Sequence, residues 1–162
     1  MARALVDWLV MLCLLYFIFS CVFIERHYCA APLKPDHSDP LLKATYDYAA
    51  EWNPLFLARP AWLKVATCFS AYGLLCGYVM LFCGFLFQIN AVRTLGLMFV
   101  GFKMNAIAFY FWMELVEHGV PSLAMFLAAE GAYPLGMALI IFRLRAENPF
   151  GAAQGPNAKK IK

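Results

Sequence analysis

Four long apolar runs divide the chain, and polar residues gather between them. The runs cover Leu5–Ile24, Leu63–Gln88, Arg93–Leu115 and Pro121–Phe142. A helix needs about 20 apolar residues to cross a hydrocarbon core of roughly 30 Å. The pattern therefore predicts four transmembrane helices. Ile89–Val92 and Val116–Val120 are short connections, so the later helices are antiparallel neighbours.

The stretch between the first two runs, Arg26 to Pro60, follows another pattern. Asp39–Pro40 has the chemistry of a helix start, with an aspartate to cap free N–H groups and a proline suited to the first turn. Leu41, Leu42, Tyr46, Ala49, Ala50 and Trp52 recur at helical spacing, and Asn53–Pro54 ends the run. This predicts a short interfacial helix that lids one mouth of the bundle. A surface helix with no role in a site is the competing reading.

Composition supports the membrane class: 64% of residues are hydrophobic and only 14% charged. The fold class is thus an all-α membrane protein, a four-helix bundle with a short interfacial helix in its first long loop. One transmembrane domain, residues 1–145, is followed by a mobile cytosolic tail, residues 146–162. Leu5–Ile24 reads as a retained helix rather than a signal peptide. With the N-terminus in the cytosol, seven Lys and Arg face that side and five the other, which favours cytosolic termini. The net charge of +3 is no argument for nucleic acid.

Cys13, Cys21, Cys68, Cys76 and Cys83 fall inside apolar runs, where cysteine behaves as a small hydrophobe. Cys29 alone lies in a loop. This predicts no disulfide framework, and without a CxxC pair no structural zinc site. No HExxH, HxxxH or Ser-His-Asp order is present, so neither metal nor hydrolase chemistry gains support. No cofactor is expected.

The candidate chemistry lies inside the runs. Glu130 interrupts the fourth, where a carboxyl costs several kcal/mol unless neutralised, paired or facing a cavity. Pro134 predicts a kink just after it. Lys103 lies about 15 Å into the third run and Glu130 about 13.5 Å in from the other side, at 1.5 Å per residue. The two are matched in depth as an ion pair, either a pocket element or a structural clasp. Lys103, Tyr110, Glu114 and Glu117 form one polar stripe, with the two glutamates near the membrane end, where solvation accounts for them. Asn105 faces elsewhere and needs a partner at that depth. Gly73 and Gly77 form a GxxxG, read as packing inside the bundle. Glu25 closes the first run as a rim charge beside Arg26.

The order Val6-Asp7-Trp8-Leu9, Phe23-Ile24-Glu25, Asn53-Pro54-Leu55, Pro60-Ala61-Trp62-Leu63-Lys64, Val92-Arg93-Thr94 and Ile140-Ile141-Phe142-Arg143-Leu144-Arg145 resembles the EXPERA family, the group of the sigma-2 receptor and the emopamil-binding sterol isomerase. The likeness runs from about Val6 to Arg145. It implies a four-helix bundle in the endoplasmic reticulum membrane. It also implies an occluded pocket for sterols or lipophilic amines, with Glu25 as the charge anchor. The family's second acidic residue falls at Asn53, which is expected to hydrogen-bond and orient Glu25. The family's pocket polar residues fall at Ala106 and Ala132, beside Asn105 and Tyr133. The pocket is then re-cut, with Lys103, Asn105, Tyr110, Glu130 and Tyr133 as this chain's own polar elements. Lys159 and Lys160 look like a di-lysine retrieval signal.

The expected function is binding of a sterol or other lipophilic ligand, cationic amines included, in an intramembrane pocket, in sterol and lipid homeostasis. The alternatives are a Δ8–Δ7 sterol isomerase and an accessory subunit of a larger membrane complex. No catalytic residue is assigned, because the isomerase's His and Glu pattern is not matched. Expected partners are the ligand, membrane lipid, and either a second copy or another membrane protein.

Overall fold

The computed structural model describes residues 5–151. Among them every regular element is a helix, and there is no strand. Helix α1 spans Leu5–Ala30, α2 Pro40–Trp52, α3 Pro54–Ala58, α4 Ala61–Leu86, α5 Val92–His118, α6 Leu123–Glu130 and α7 Ala132–Leu144. Helices α1, α4 and α5 are long and apolar enough to cross a membrane. The pair α6 and α7, bent by 45°, supplies a fourth crossing if it acts as one span.

Helix α1 does not stop at Ile24. It winds more widely over Ser20–Glu25 and continues to Ala30, so Glu25 sits within a helix rather than at its end. Nothing in Glu25-Arg26 breaks a backbone. The stop comes at Ala31, which is extended because Pro32 follows.

Helix α2 starts where the sequence places it. Asp39 accepts from the N–H groups of Leu41 at 2.8 Å and Leu42 at 3.2 Å, with Pro40 in the first turn. Asn53 then opens α3, a short helix absent from the sequence reading, by accepting from Phe56 N–H at 3.0 Å. The bend between α6 and α7 also falls where expected. Pro134 has no N–H to offer the Glu130 carbonyl, and its ring crowds the preceding turn.

Helix α1 packs against α4 and α7, and α5 against α7 and α4. Leu14 and Phe17, Tyr78 and Phe85, Val100, and Ile140 carry the core from these four helices. A β-carbon at Gly136 would lie 2.7 Å from the Phe17 ring, so glycine there permits the close approach of α1 and α7. Gly77 faces the Phe99 ring of α5, while the side chain nearest Gly73 is Phe69 of its own helix.

One end of the bundle is closed by charge and by the following chain. Asp7, 1% exposed, forms an ion pair with Arg143. Arg143 also donates to the Pro149 carbonyl, and its guanidinium lies over Phe150, 5.0 Å from the ring centre. Asn90 accepts from Phe150 N–H at 3.0 Å and donates to the Gly151 carbonyl at 2.9 Å. Pro149, Phe150 and Gly151, at the start of the segment after the helices, therefore make contacts with them. Lys159 and Lys160 lie outside the described residues.

A covalent tie marks the other end of α1. Cys29 and Cys68 form a disulfide, with Cα atoms 5.3 Å apart. The expectation of no disulfide was wrong. Cys68 belongs to an apolar run, but it lies early in α4, and antiparallel packing sets the last turn of α1 beside it. Hydropathy assigns a residue to a helix, not to its neighbours.

Candidate functional site

A cavity of about 1000 Å³ opens among α1, α2, α4, α5 and the α6–α7 bend. Its wall is largely apolar and aromatic, including Leu74, Ile107, Trp62, Phe69, Phe102 and Phe111. Polar side chains interrupt that wall, among them Ser20, Glu25, Asn53, Ser70, Lys103, Tyr110, Glu130 and Tyr133. A mostly apolar cavity with a few convergent polar groups is the usual form of a small-molecule site.

Glu25 lies on the α1 side of the cavity. It is 9% exposed, and its carboxylate accepts from Ser20 Oγ at 3.4 Å and from Cys21 Sγ at 3.6 Å. Tyr133 extends the chain by donating to Ser20 Oγ at 3.1 Å. The Cys21 thiol also reaches the Ser70 carbonyl at 3.6 Å, joining α1 to α4 at this level. These donors hold the carboxylate in place while one side faces the cavity. Cys21 is four residues before Glu25, so a helix drawn past Ile24 exposes that pairing in the sequence. Ser70 comes from a distant run and carries no local signal.

Lys103 is buried, 9% exposed, on the α5 wall. It does not form the expected ion pair with Glu130. Among the described residues the ion pairs within 4.0 Å are Lys43–Asp47 and Asp7–Arg143. Its amine instead lies over the Tyr133 ring, 5.0 Å from the centre, and at 5.8 Å from the Tyr78 centre. The depth argument placed Lys103 and Glu130 at one level but did not fix the direction in which either side chain points around its helix.

Asn53 does not orient Glu25 either. Its amide nitrogen donates to the Tyr110 hydroxyl at 2.9 Å while its oxygen caps α3. Glu114 lies one helical turn beyond Tyr110 on α5. It is 1% exposed, not solvated, and one of its carboxylate oxygens has no hydrogen-bond partner. Glu117, one turn on, is exposed and accepts from the Trp112 indole at 3.0 Å. Glu130 lines the cavity, as Tyr110 does. Asn105 is exposed on the outer face of α5 and does not reach the cavity. The structure thus gathers Glu25, Asn53, Lys103, Tyr110, Glu130 and Tyr133 around one space, and leaves Asn105 out.

Helix α2 supplies one side of the cavity with Ala44, Thr45, Tyr48 and Ala49. Tyr48 also donates to the Met125 carbonyl at 3.3 Å, which bridges α2 to α6. Among the described residues no cluster of three or more His, Cys, Asp or Glu has metal-binding geometry. Comparison of the chain with family models, curated proteins and solved structures finds no match.

Proposed function

We propose that this chain is a four-span membrane protein of EXPERA type that binds a lipophilic small molecule, a sterol or a cationic amine, within its helices. One observation carries the reading. The Glu25 carboxylate faces an apolar, aromatic cavity of about 1000 Å³ and is held there by Ser20 and Cys21. A carboxylate so placed is a counter-ion for an ammonium, and aromatic faces such as Tyr16 and Trp62 favour the same cation.

In this reading α2 lies at the membrane surface and covers the mouth. The Cys29–Cys68 disulfide supports a mouth facing an oxidising compartment, and the Lys/Arg excess at the other end supports cytosolic termini. The endoplasmic reticulum membrane fits both. The resemblance to the sigma-2 receptor agrees with the position of Glu25, while Asn53 departs from it in bonding Tyr110.

The test is saturable binding of a radiolabelled lipophilic amine or sterol to purified protein. Affinity is expected to fall tenfold or more in Glu25→Ala. Wild-type protein that binds neither class of probe overturns the reading. A second reading, sterol double-bond isomerisation, draws on Glu25 and Glu130 lining one cavity as two carboxyls for proton addition and removal. Turnover of a Δ8 sterol, lost in both Glu25→Gln and Glu130→Gln, is its signature.

A further inference from the structure

Lys103 is the unusual group in this cavity. A lysine buried among helices ordinarily meets a carboxylate, yet among the described residues no carboxylate oxygen comes within 4.0 Å of its amine. Its neighbours are the faces of Tyr133 and Tyr78, and it lines the cavity beside Ile107. An amine desolvated in an apolar pocket is the form in which lysine acts as a nucleophile toward carbonyl compounds.

We propose that Lys103 is a covalent anchor, whose amine condenses with the carbonyl carbon of an apolar aldehyde or ketone held in the cavity. The proposal rests on the reading above that the cavity admits a lipophilic molecule, and it names the chemical class of that molecule. The lysine ammonium first gives a proton to a carboxylate lining the cavity. The neutral nitrogen then attacks the carbonyl carbon and forms a C–N bond as the carbonyl π bond opens, and one N–H proton passes to the oxygen to give a carbinolamine. The C–O bond then breaks, and the oxygen leaves as water after taking back the proton held by the carboxyl group. The net change from ammonium and carbonyl compound is a protonated imine plus one water. Nothing is oxidised or reduced.

Glu25 and Glu130 line the same space and are the groups available to lend and recover these protons. The charge in the cavity also selects the ligand. One ammonium faces two carboxylates, so a fatty acid or other anion would add a third negative charge. A neutral carbonyl compound adds none, and its protonated imine keeps the positive charge that Lys103 already carried. The volume of about 1000 Å³ is at the upper end of the roughly 300–1,000 Å³ of small-molecule sites, ample for a long-chain aldehyde.

The experiment uses the full chain in detergent micelles with hexadecanal and cyanoborohydride, followed by peptide mass spectrometry. The expected result is a mass increase, equal to the aldehyde less one oxygen atom, on the peptide that carries Lys103. Labelling there should exceed that of the exposed Lys34, Lys43 and Lys64 at least tenfold. Excess hexadecanol, which has the same chain and no carbonyl, should suppress it, and Lys103→Arg should lower labelling of that peptide to background. Displacement of a fluorescent lipophilic amine from the wild-type protein by hexadecanal is measured alongside. Displacement with Lys103 labelled no more than Lys43 and Lys64 overturns the covalent anchor and leaves the cavity reading standing. Neither binding of the amine nor selective labelling overturns both. Site localisation on the wild-type chain decides the matter even if the variant does not fold.

Discussion

The Asn53 amide donates to the Tyr110 hydroxyl at 2.9 Å, and this bond fastens the long first loop to helix α5. The same side chain caps α3 through its oxygen, so one residue links two elements and borders the cavity. Asn53→Ala removes both bonds and leaves Tyr110 short of a donor. A loss of roughly 2 kcal/mol is expected from a buried hydrogen bond and a cap together. A fall in the thermal midpoint of the detergent-solubilised protein checks it; an unchanged midpoint means the loop is held by packing instead.

Tyr133 and Glu25 are connected through Ser20. Tyr133→Phe keeps the ring on which Phe17 stacks at 4.7 Å and removes only the hydroxyl. A several-fold weakening of amine binding is expected with little change in stability, since about 1 kcal/mol of hydrogen bonding is lost. A titration comparing Tyr133→Phe with wild type reads the effect, and equal affinities would remove Tyr133 from the polar chain that serves the ligand.

The disulfide between Cys29 and Cys68 closes a loop that contains α2 and α3. Cys29→Ser or Cys68→Ser is expected to cost about 4 kcal/mol, by the loop-closure argument for a sequence separation of 39 residues. Non-reducing electrophoresis should show a mobility shift on reduction of wild type and none for either variant. Protein from cells that runs as fully reduced contradicts the proposed orientation of the mouth.

At the opposite end of α1, the buried Asp7 pairs with Arg143, which is partly exposed. Asp7→Leu leaves the guanidinium without its carboxylate, and losing hydrogen bonds between charged groups in this way costs about 1.5–3 kcal/mol. Asp7→Leu combined with Arg143→Leu should recover a large part of the loss. Thermal unfolding of the three variants decides it; additive losses would mean that the two residues are not coupled.

Local chemistry made much of this protein legible. Asp39–Pro40 and Asn53–Pro54 bounded α2 because caps and prolines act over three or four residues. Pro134 located the bend because a missing N–H affects one turn of its own helix. Asp7 with Arg143 and Cys29 with Cys68 were not legible, since each pair comes from separate helices. The end of α1 was missed for a different reason: the charged Glu25-Arg26 was taken as the edge of the span, although charge does not interrupt helical hydrogen bonding.

By itself the sequence determined the helical class, the long apolar runs and the residues able to carry chemistry. These follow from hydropathy and backbone geometry, which depend on near neighbours. Only the tertiary structure decided which way the polar side chains point. It turned Asn53 to Tyr110, buried Glu114, left Asn105 outside, and set Lys103 over Tyr133 rather than against Glu130. Depth along a helix is fixed by counting residues. Direction around it becomes contact only when a second helix packs alongside.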